Sequence, residues 1–396
     1  MDEARLARLT RVAATLPPPS ALVDLDAFER NAALMASHAG GLPVRVATKS
    51  IRSVAVIRRA LQASPAFAGL LAYSAREACH LVDRGFDDVL VAYPTVEVDE
   101  IEAVAKRVAG GRLIVLTVDS RASVERHASV AARSGVVLPL AIDLDCATHF
   151  PGLLFGVRRS PVSTVTDALA LAAAIDRETS VRLDGVLGYE AQIAGVRDRL
   201  PHDRLRARLM RELKKRSFVE VSERRSAIVD AIRARFALRF VNGGGTGSLD
   251  VSRRDRSLTE LAAGSGFFAP LLFDGYDRLP LESAAFFALS VSRIHDACTV
   301  VTSGGGYVAS GPAGLDRLPA PVFPMGGALL AHEGVGEVQT PIRFPRATRP
   351  KLGGRVLFRH AKAGELGERF PHLALVRGER VVESVTTYRG DGVSFF

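Results

Sequence analysis

Cysteine is scarce in this chain of 396 residues, and the three that are present, Cys79, Cys146 and Cys298, lie far apart. No Cys-x-x-Cys pair occurs, which excludes the usual zinc and dithiol motifs, and an odd, scattered set does not support a disulfide framework. Free thiols of this kind fit a reducing cytoplasm. The sequence also lacks a long apolar run, so it predicts neither a signal peptide nor a membrane-spanning segment.

Lysine is also scarce, since only six of the 52 basic residues are lysines and the rest are arginines. The formal net charge of +9 would suit an anionic partner. However, the arginines are scattered, and no aromatic side chains alternate with them in a basic groove. The balance of 47% hydrophobic and 24% charged residues is that of a globular protein. The composition therefore predicts a folded protein that binds neither nucleic acid nor a membrane.

Short apolar, β-branched runs alternate with helical stretches from about residue 43 to residue 265, which is the order of a (β/α)8 TIM-type barrel. The eighth run has few β-branched residues, so its composition is the least typical of a β-strand. The predicted strands are 43–48, 67–73, 88–93, 112–118, 138–145, 181–189, 237–242 and 258–264. Apolar residues at helical spacing predict helices at 54–62, 75–83, 96–108, 121–132, 165–175 and 203–236.

The pattern changes after residue 274, where strand-like runs are broken by glycine and proline clusters. This change predicts a separate C-terminal β domain, against which the residues before Ala21 are expected to pack. We therefore expect an α/β protein with a barrel at 20–275 and a β domain at 276–396 that includes 1–19. The strand-like runs of the β domain are 300–301, 307–310, 355–358, 373–376 and 380–388.

Two glycine-rich segments follow the last two predicted barrel strands. Segment 242–248 reads Asn-Gly-Gly-Gly-Thr-Gly-Ser, and segment 263–266 reads Ala-Gly-Ser-Gly. In such barrels, the loops after strands seven and eight frequently bind phosphate. Glycines let backbone N–H groups approach an oxyanion, and a hydroxyl such as that of Thr246 or Ser265 adds a donor. Tight turns would explain one such run, but the position of both loops favours a phosphate site.

Lys49 is the only lysine among the first hundred residues, and it stands at the carboxyl end of the first predicted strand, where barrel active sites lie. A partly desolvated lysine near arginines loses its proton more readily, which suits it to form a Schiff base. The alternative is a surface lysine at a strand end, which the scarcity of lysine disfavours. An amine and a phosphate cradle on one face of a barrel point to pyridoxal 5′-phosphate.

The chain resembles the fold type III, or alanine racemase-like, pyridoxal phosphate enzymes. Within them it is similar to the D-threonine aldolase and D-serine dehydratase group, often called amino acid deaminase/aldolase. The resemblance runs nearly end to end and is carried by segments 19–31, 45–49, 188–192 and 243–247. It implies a homodimeric lyase that acts as an aldolase or dehydratase on a small β-hydroxy amino acid of D configuration, and the cysteine usage places it in the cytoplasm.

The resemblance also implies roles for individual residues. Lys49 would hold the cofactor as a Schiff base and act as a base at Cα, Tyr189 would line the cofactor ring, and Arg158 would reach that ring. Gln192 stands where many relatives have histidine, so the role of that histidine has no counterpart here. The residues implied to bind the phosphate are Gly244, Gly245, Thr246, Gly264 and Ser265.

One departure from the group concerns a metal site. The group's lyases carry a His-x-Asp or His-x-Cys metal pair in a late strand, and here segment 359–365 reads Arg-His-Ala-Lys-Ala-Gly-Glu. His360 stands at the first ligand position but Lys362 at the second, and an ammonium has no lone pair for a metal. Either Lys362 replaces the ion and polarises a substrate hydroxyl or carboxylate, or Glu365 completes a displaced site with His360. Ligand chemistry favours the first, with His360 and Lys362 as catalytic residues.

Other functions stay open. A racemase needs a second acid or base on the opposite face of Cα, for which Tyr307 is the nearest candidate. A non-catalytic pyridoxal phosphate-binding protein needs no second domain to close over a substrate, so the β domain argues against it. A pure interaction protein would bind no cofactor.

Overall fold

The computed structural model describes residues 2–199 and 203–395. The described chain begins with helix α1 (Glu3–Ala14), strand β1 (Ser20–Asp24) and helix α2 (Leu25–Ala39). Asp24 ends the strand and caps the helix that follows, because its carboxylate accepts hydrogen bonds from two amides of the first turn. The same buried carboxylate pairs with Arg5 of α1 at 2.7 Å, which ties the first helix to the strand.

Eight parallel strands close into a barrel. Each of them coincides with one of the eight predicted runs, including the weak eighth, so the (β/α)8 prediction is confirmed. A short hairpin, β7 (Thr148–Phe150) and β8 (Leu153–Phe155), interrupts the series after the fifth barrel strand. The barrel strands are β2 (Val44–Ala47), β3 (Phe67–Ala72), β4 (Val89–Val91), β5 (Ile114–Val118), β6 (Leu138–Asp143), β9 (Val181–Gly188), β10 (Phe240–Gly243) and β11 (Glu260–Ala263).

Helices connect these strands and cover the outside of the barrel. Side-chain caps begin several of them, with Ser74, Ser120 and Thr164 accepting from first-turn amides. No helix in the described ranges is both long and apolar enough to cross a membrane. The helices are α3 (Val54–Gln62), α4 (Ala75–Val82), α5 (Val98–Ala109), α6 (Arg121–Ser134), α7 (Val165–Asp176), α8 (Ala191–Ala194), α9 (Arg204–Arg233) and α10 (Leu249–Ser252).

A separate nine-stranded sheet forms the C-terminal domain, as the change in pattern predicts. The predicted strand at 307–310 is wrong, because glycines surround this segment and it runs as a loop. The domain consists of β12 (Ala285–Ile294), β13 (Thr299–Ser303), β14 (Ala320–Phe323), β15 (Ala328–Leu329), β16 (Gln339–Arg343), β17 (Arg355–Arg359), α11 (Glu365–Arg369), β18 (His372–Arg377) and β19 (Arg380–Thr386).

The sheet also includes β1, which lies between β12 and β18, antiparallel to the first and parallel to the second. Helix α1 packs on this sheet, where Leu6, Leu9 and Val12 form one buried cluster with Phe286 and Leu357. The packing of the first residues on the β domain is therefore confirmed. The domain limits stay a proposal, and the pairing of β1 supports a barrel that begins after residue 24.

A charged network lies inside the barrel. Arg45 of β2 is almost completely buried, donates to Glu260 of β11 at 2.6 Å, and stacks over the ring of Phe240 with 5.2 Å to the centroid. Glu260 also accepts from the side-chain amide of Asn242, which lines the cavity described below. The pair of buried charges is thus matched by further hydrogen bonds, as burial of an ion pair requires.

Candidate active site

A cavity of about 340 Å³ opens at the carboxyl ends of the barrel strands. Most of its wall comes from residues that follow these strands, where barrel active sites are found. The β domain contributes Lys362 and Ala363 from the segment after β17. The polar side chains and glycines in the wall include Lys49, Tyr93, Asp143, Arg159, Tyr189, Asn242, Gly244, Gly245, Thr246, Gly247, Gly264, Ser265 and Lys362.

Lys49 projects into this cavity from a single 3-10 turn, Thr48–Ser50, directly after β2. Its ammonium donates a hydrogen bond to the hydroxyl of Tyr93 at 3.0 Å. Burial raises the pKa of Tyr93, but the charges of Lys49 and Arg159 outweigh burial and leave that pKa below its usual value. The amine is therefore held in a defined position inside the cavity by a phenol with enhanced acidity.

The neighbouring arginines of segment 158–159 are both exposed, but they differ in their contact with the cavity. Arg158, predicted to reach the cofactor ring, lies outside the cavity wall. Arg159 is in the wall, with its guanidinium carbon 5.5 Å from the ring centroid of Tyr93 and 5.8 Å from that of Tyr189. The hydroxyl of Ser160 donates to the Asp143 carbonyl at 2.7 Å and connects the segment to the end of β6.

Replacing these two arginines separately tests which one contacts the cofactor. Arg159→Leu should weaken pyridoxal phosphate binding about tenfold, because it removes the cation that faces two aromatic rings of the wall. Arg158→Leu is the matched control and should leave the affinity unchanged. An absorbance titration with the cofactor measures both. A larger loss in the Arg158 variant would return the role to that residue.

The five residues predicted to bind phosphate all lie in the cavity wall. Close contacts require glycine at two of these positions. A Cβ added to Gly264 would be 2.2 Å from the Ala47 carbonyl oxygen, and one added to Gly245 would be 2.8 Å from the Ala194 methyl. Thr246 joins the two loops, since its hydroxyl accepts from the amide of Gly264 at 3.2 Å. The loops thus form one cradle without bulky side chains.

The amide of Gly244 is already used within the protein. It donates to the carboxylate of Glu190 at 2.7 Å, and Gly244 itself has a φ of +72°, a conformation that favours glycine. Gly244 therefore shapes the loop rather than offering its amide to an anion. Glu190 is held in turn by Arg225 of α9, which also pairs with Asp255 at 2.7 Å.

His360 and Lys362 do not face the same space. His360 is 1% exposed, lies against Phe268, and is not part of the cavity wall, whereas Lys362 is. Burial lowers the pKa of His360 to about 3, and the charge of Arg359 adds to this effect. Strand β17 ends at Arg359, so His360 and Lys362 lie beyond it, and the strand alternation that puts residues i and i+2 on one face does not apply to them.

The residues present do not fit the metal that the resemblance implies. Burial raises the pKa of Glu365, the alternative second ligand, to about 8, so its carboxyl favours a proton at neutral pH. Lys362 offers an ammonium, which has no free lone pair. Within residues 2–199 and 203–395, no three His, Cys, Asp or Glu side chains are grouped to hold an ion. His360, Lys362 and Glu365 therefore do not offer the ligand set of a metal site.

The family model for the alanine racemase N-terminal domain matches residues 23–227, slightly more than half of the chain. This chain belongs to the alanine racemase N-terminal domain family. The matched part contains the lysine-bearing turn and the barrel as far as residue 227 in the last turns of α9, and both glycine loops and the β domain follow it.

Among curated proteins, a 3-hydroxy-D-aspartate aldolase of Paracoccus denitrificans is 25% identical over 282 residues, which are 70% of this chain and 62% of the relative. The chain thus matches less than two thirds of that relative's length. A D-threonine aldolase structure from Filomicrobium marinum superposes with a TM-score of 0.81 at 22% identity, covering 95% of this chain and 96% of the other. A D-threo-3-hydroxyaspartate dehydratase from Delftia sp. HT23 gives 0.74 at 21%, covering 95% and 98%. These structures share the two-domain fold.

The cavity of this alanine racemase-family chain fits pyridoxal 5′-phosphate. The cradle around Thr246 and Ser265 has the shape and hydroxyls that a phosphate needs, and its glycines stand where any Cβ would clash. Lys49 supplies the amine, while Tyr189 and Arg159 flank the space between amine and cradle. Gln192 is turned away from this space, because its amide donates to the Cys146 carbonyl and to Ser217.

Asp143, Tyr93 and Arg159 are cavity residues that the sequence analysis did not single out. Asp143 and Tyr93 lie near the carboxyl ends of predicted strands. Because barrel active sites lie at those ends, their positions in the sequence already indicate a place at the site. Burial, with the negative charge of Asp119, raises the pKa of Asp143 to about 7 although the charge of Arg159 opposes the shift. Asp143 is thus a carboxyl group that changes its protonation near neutral pH inside the cavity.

Asp143→Asn should stabilise the protein at pH 8 and not at pH 4. The pKa of Asp143 is raised in the folded state, so wild-type stability falls as pH rises from about 4 towards 7, and a neutral amide avoids this loss. We expect the unfolding temperature to increase by about 2–4 °C at pH 8. Thermal unfolding at both pH values measures the effect, with pH 4 as the internal control. An equal change at both values would contradict the assigned pKa shift.

Proposed function

We propose that this chain is a pyridoxal phosphate-dependent lyase, an aldolase or dehydratase, that acts on a small β-hydroxy amino acid of D configuration. The observation that carries the proposal is the placement of the Lys49 amine in one cavity with the two-loop glycine cradle, at the active-site end of a closed barrel. An amine and a phosphate site in the same cavity are the two attachments that this cofactor needs.

When bound, pyridoxal 5′-phosphate supplies an electron-withdrawing ring that weakens the bonds to the substrate's Cα. The chain's own residues do the rest. Lys49 would hold the cofactor and move a proton at Cα, and the Tyr93 hydroxyl, which accepts its hydrogen bond, would orient it. Tyr189 and Arg159 would hold the ring, and Thr246 and Ser265 would hold the phosphate.

The substrate class comes from the relatives. The curated relative is named for 3-hydroxy-D-aspartate, and the two structural relatives are named for D-threonine and D-threo-3-hydroxyaspartate. These amino acids share a hydroxyl at Cβ and the D configuration. We therefore extend that class to this chain, as the sequence resemblance also implies, and a homodimer remains the oligomeric state that the resemblance predicts.

The alternatives have less support. Tyr307, the candidate second acid or base of a racemase, packs among aromatic rings, with centroids 5.1 Å from Phe287 and 5.3 Å from Phe370, and is not in the cavity wall. A carrier without turnover needs no group from a second domain, whereas Lys362 and Ala363 of the β domain complete this cavity.

The deciding experiment is the absorption spectrum of the purified protein with added cofactor, followed by borohydride reduction and peptide mapping. We expect a reduced adduct on Lys49. Turnover is then measured with the D and L forms of threonine, serine and 3-hydroxyaspartate by assaying aldehyde, keto acid and ammonia. An adduct elsewhere, or none, would contradict the cofactor site. An adduct without any turnover would favour the carrier.

A further inference from the structure

We propose that Lys362 forms an anion subsite in the β domain, in place of a metal ion, and that its ammonium binds a carboxylate of the substrate. The inference rests on the proposed function and names the group that the cavity recognises. Lys362 lies in the cavity wall just beyond β17, in the segment that the β domain contributes.

The ammonium of Lys362 has only weak partners in the protein. It donates to the carbonyl oxygen of Ser310 at 3.4 Å and to its hydroxyl at 3.3 Å, both long for such bonds. In the described part of the chain, no carboxylate lies within the 4.0 Å of an ion pair with it. A half-buried ammonium with no carboxylate at ion-pair distance retains donors for a ligand, and a charged ligand satisfies it best.

The surroundings of Lys362 also favour an anion. Lys362 interacts electrostatically with the positive charges of Arg317 and Lys49, while Glu365 acts on it in the opposite sense. The Nε of Arg317 is buried and has no hydrogen-bond partner. An anion placed among these cations gains charge-assisted hydrogen bonds and relieves their repulsion.

A carboxylate matches the site better than a metal or a lone hydroxyl. An ammonium cannot ligate a metal, and His360 is turned out of the cavity, so the site has no ligand pair. A hydroxyl would accept one hydrogen bond and leave the charge uncompensated, whereas a carboxylate neutralises it. A β-hydroxy amino acid always has an α-carboxylate, and hydroxyaspartate has a second one on its side chain. Both sources offer the same chemistry.

Binding of two unreactive amino acids tests this inference. D-Aspartate has both carboxylates and D-alanine has only the α-carboxylate, and neither has a β-hydroxyl. Calorimetric titration of the cofactor-loaded protein gives each Kd. Lys362→Met should raise the Kd about 10- to 100-fold for each ligand whose carboxylate contacts Lys362. Lys362→Arg should restore most of the affinity, because it retains the charge. Lys351→Met is the matched control, since Lys351 is exposed on a loop, and should change nothing.

The two ligands distinguish the source of the carboxylate. Equal weakening for D-aspartate and D-alanine indicates the α-carboxylate, and weakening for D-aspartate alone indicates the side-chain carboxylate. Unchanged Kd values for both, in a Lys362→Met protein whose Lys49 still gives the borohydride adduct, would overturn the inference. Wild-type turnover that is lost in EDTA and restored by a divalent metal would also overturn it.

Failure of this inference can be separated from failure of the proposed function. If the wild-type protein turns over none of the β-hydroxy amino acids, the proposed function fails, whatever Lys362 binds. If the wild-type protein turns them over and Lys362→Met retains the wild-type KM and kcat, only the subsite fails. A rise in KM with little change in kcat is the expected pattern, because the contact is present in the ground state as well as in the transition state.

Discussion

Lys49→Ala should abolish covalent attachment of the cofactor and lower lyase turnover about ten-thousand-fold. The barrel presents this one amine to the cavity, where Tyr93 holds it, and the variant removes both the attachment point and the group that moves a proton at Cα. The measurements are the mass of the borohydride-reduced protein and the rate of product formation. Both should fall together, since they depend on the same nitrogen.

Lys106→Ala is the control for this experiment, because Lys106 is exposed on α5 and far from the cavity wall. Circular dichroism should show the same fold for both variants, since the Lys49 side chain points into an open space and supports no core packing. The result that would contradict the assignment is a reduced adduct of wild-type yield in Lys49→Ala. Peptide mapping would then show whether Lys362, the other amine of the cavity, is the attachment point.

Arg225→Met should have the largest effect on stability. Arg225 of α9 is 2% exposed and is the shared partner of two buried carboxylates, Glu190 and Asp255. Removing the cation leaves these two negative charges buried and uncompensated, which costs about 3–5 kcal/mol. The unfolding temperature should fall by roughly 10 °C. Arg208→Met, an exposed position on the same helix, should leave it unchanged.

The same substitution should also weaken cofactor binding. Glu190 accepts the amide hydrogen of Gly244, so a displaced Glu190 loosens the glycine cradle. Glu190→Gln tests the contribution of the ion pair to the position of residue 190. The glutamine retains an acceptor for the Gly244 amide but loses the charge that pairs with Arg225. We expect both variants to raise the Kd for pyridoxal phosphate. An unchanged unfolding temperature in Arg225→Met would mean that the network stabilises little.

The parts of the site that the sequence predicts are local. Lys49 ends a strand, and the two glycine segments directly follow strands, so their placement at one barrel end follows from the parallel order of the strands alone. The strands themselves are short, buried and bounded by turn residues, which is why pattern located all eight. Residue type, strand position and chain order were sufficient for the cofactor-binding end of the barrel.

Other parts depend on contacts between distant segments or on the direction of a single side chain. Arg158 and Arg159 are adjacent and identical in type, and only the tertiary structure shows that Arg159 lines the cavity and Arg158 does not. Nothing local marks Arg225 as the partner of Glu190 and Asp255, which lie 35 and 30 residues away in the chain. Such pairings exist only after the barrel has closed.

The sequence by itself determined the barrel, the lysine turn and the phosphate cradle, because each arises from periodicity and from residues next to one another in the chain. Only the tertiary structure decided that β1 belongs to the C-terminal sheet, that His360 is buried away from the cavity, and that Lys362 lines it. The physical reason is that strand partners, and the direction of side chains beyond the end of a strand, are set by long-range packing, which local composition does not encode.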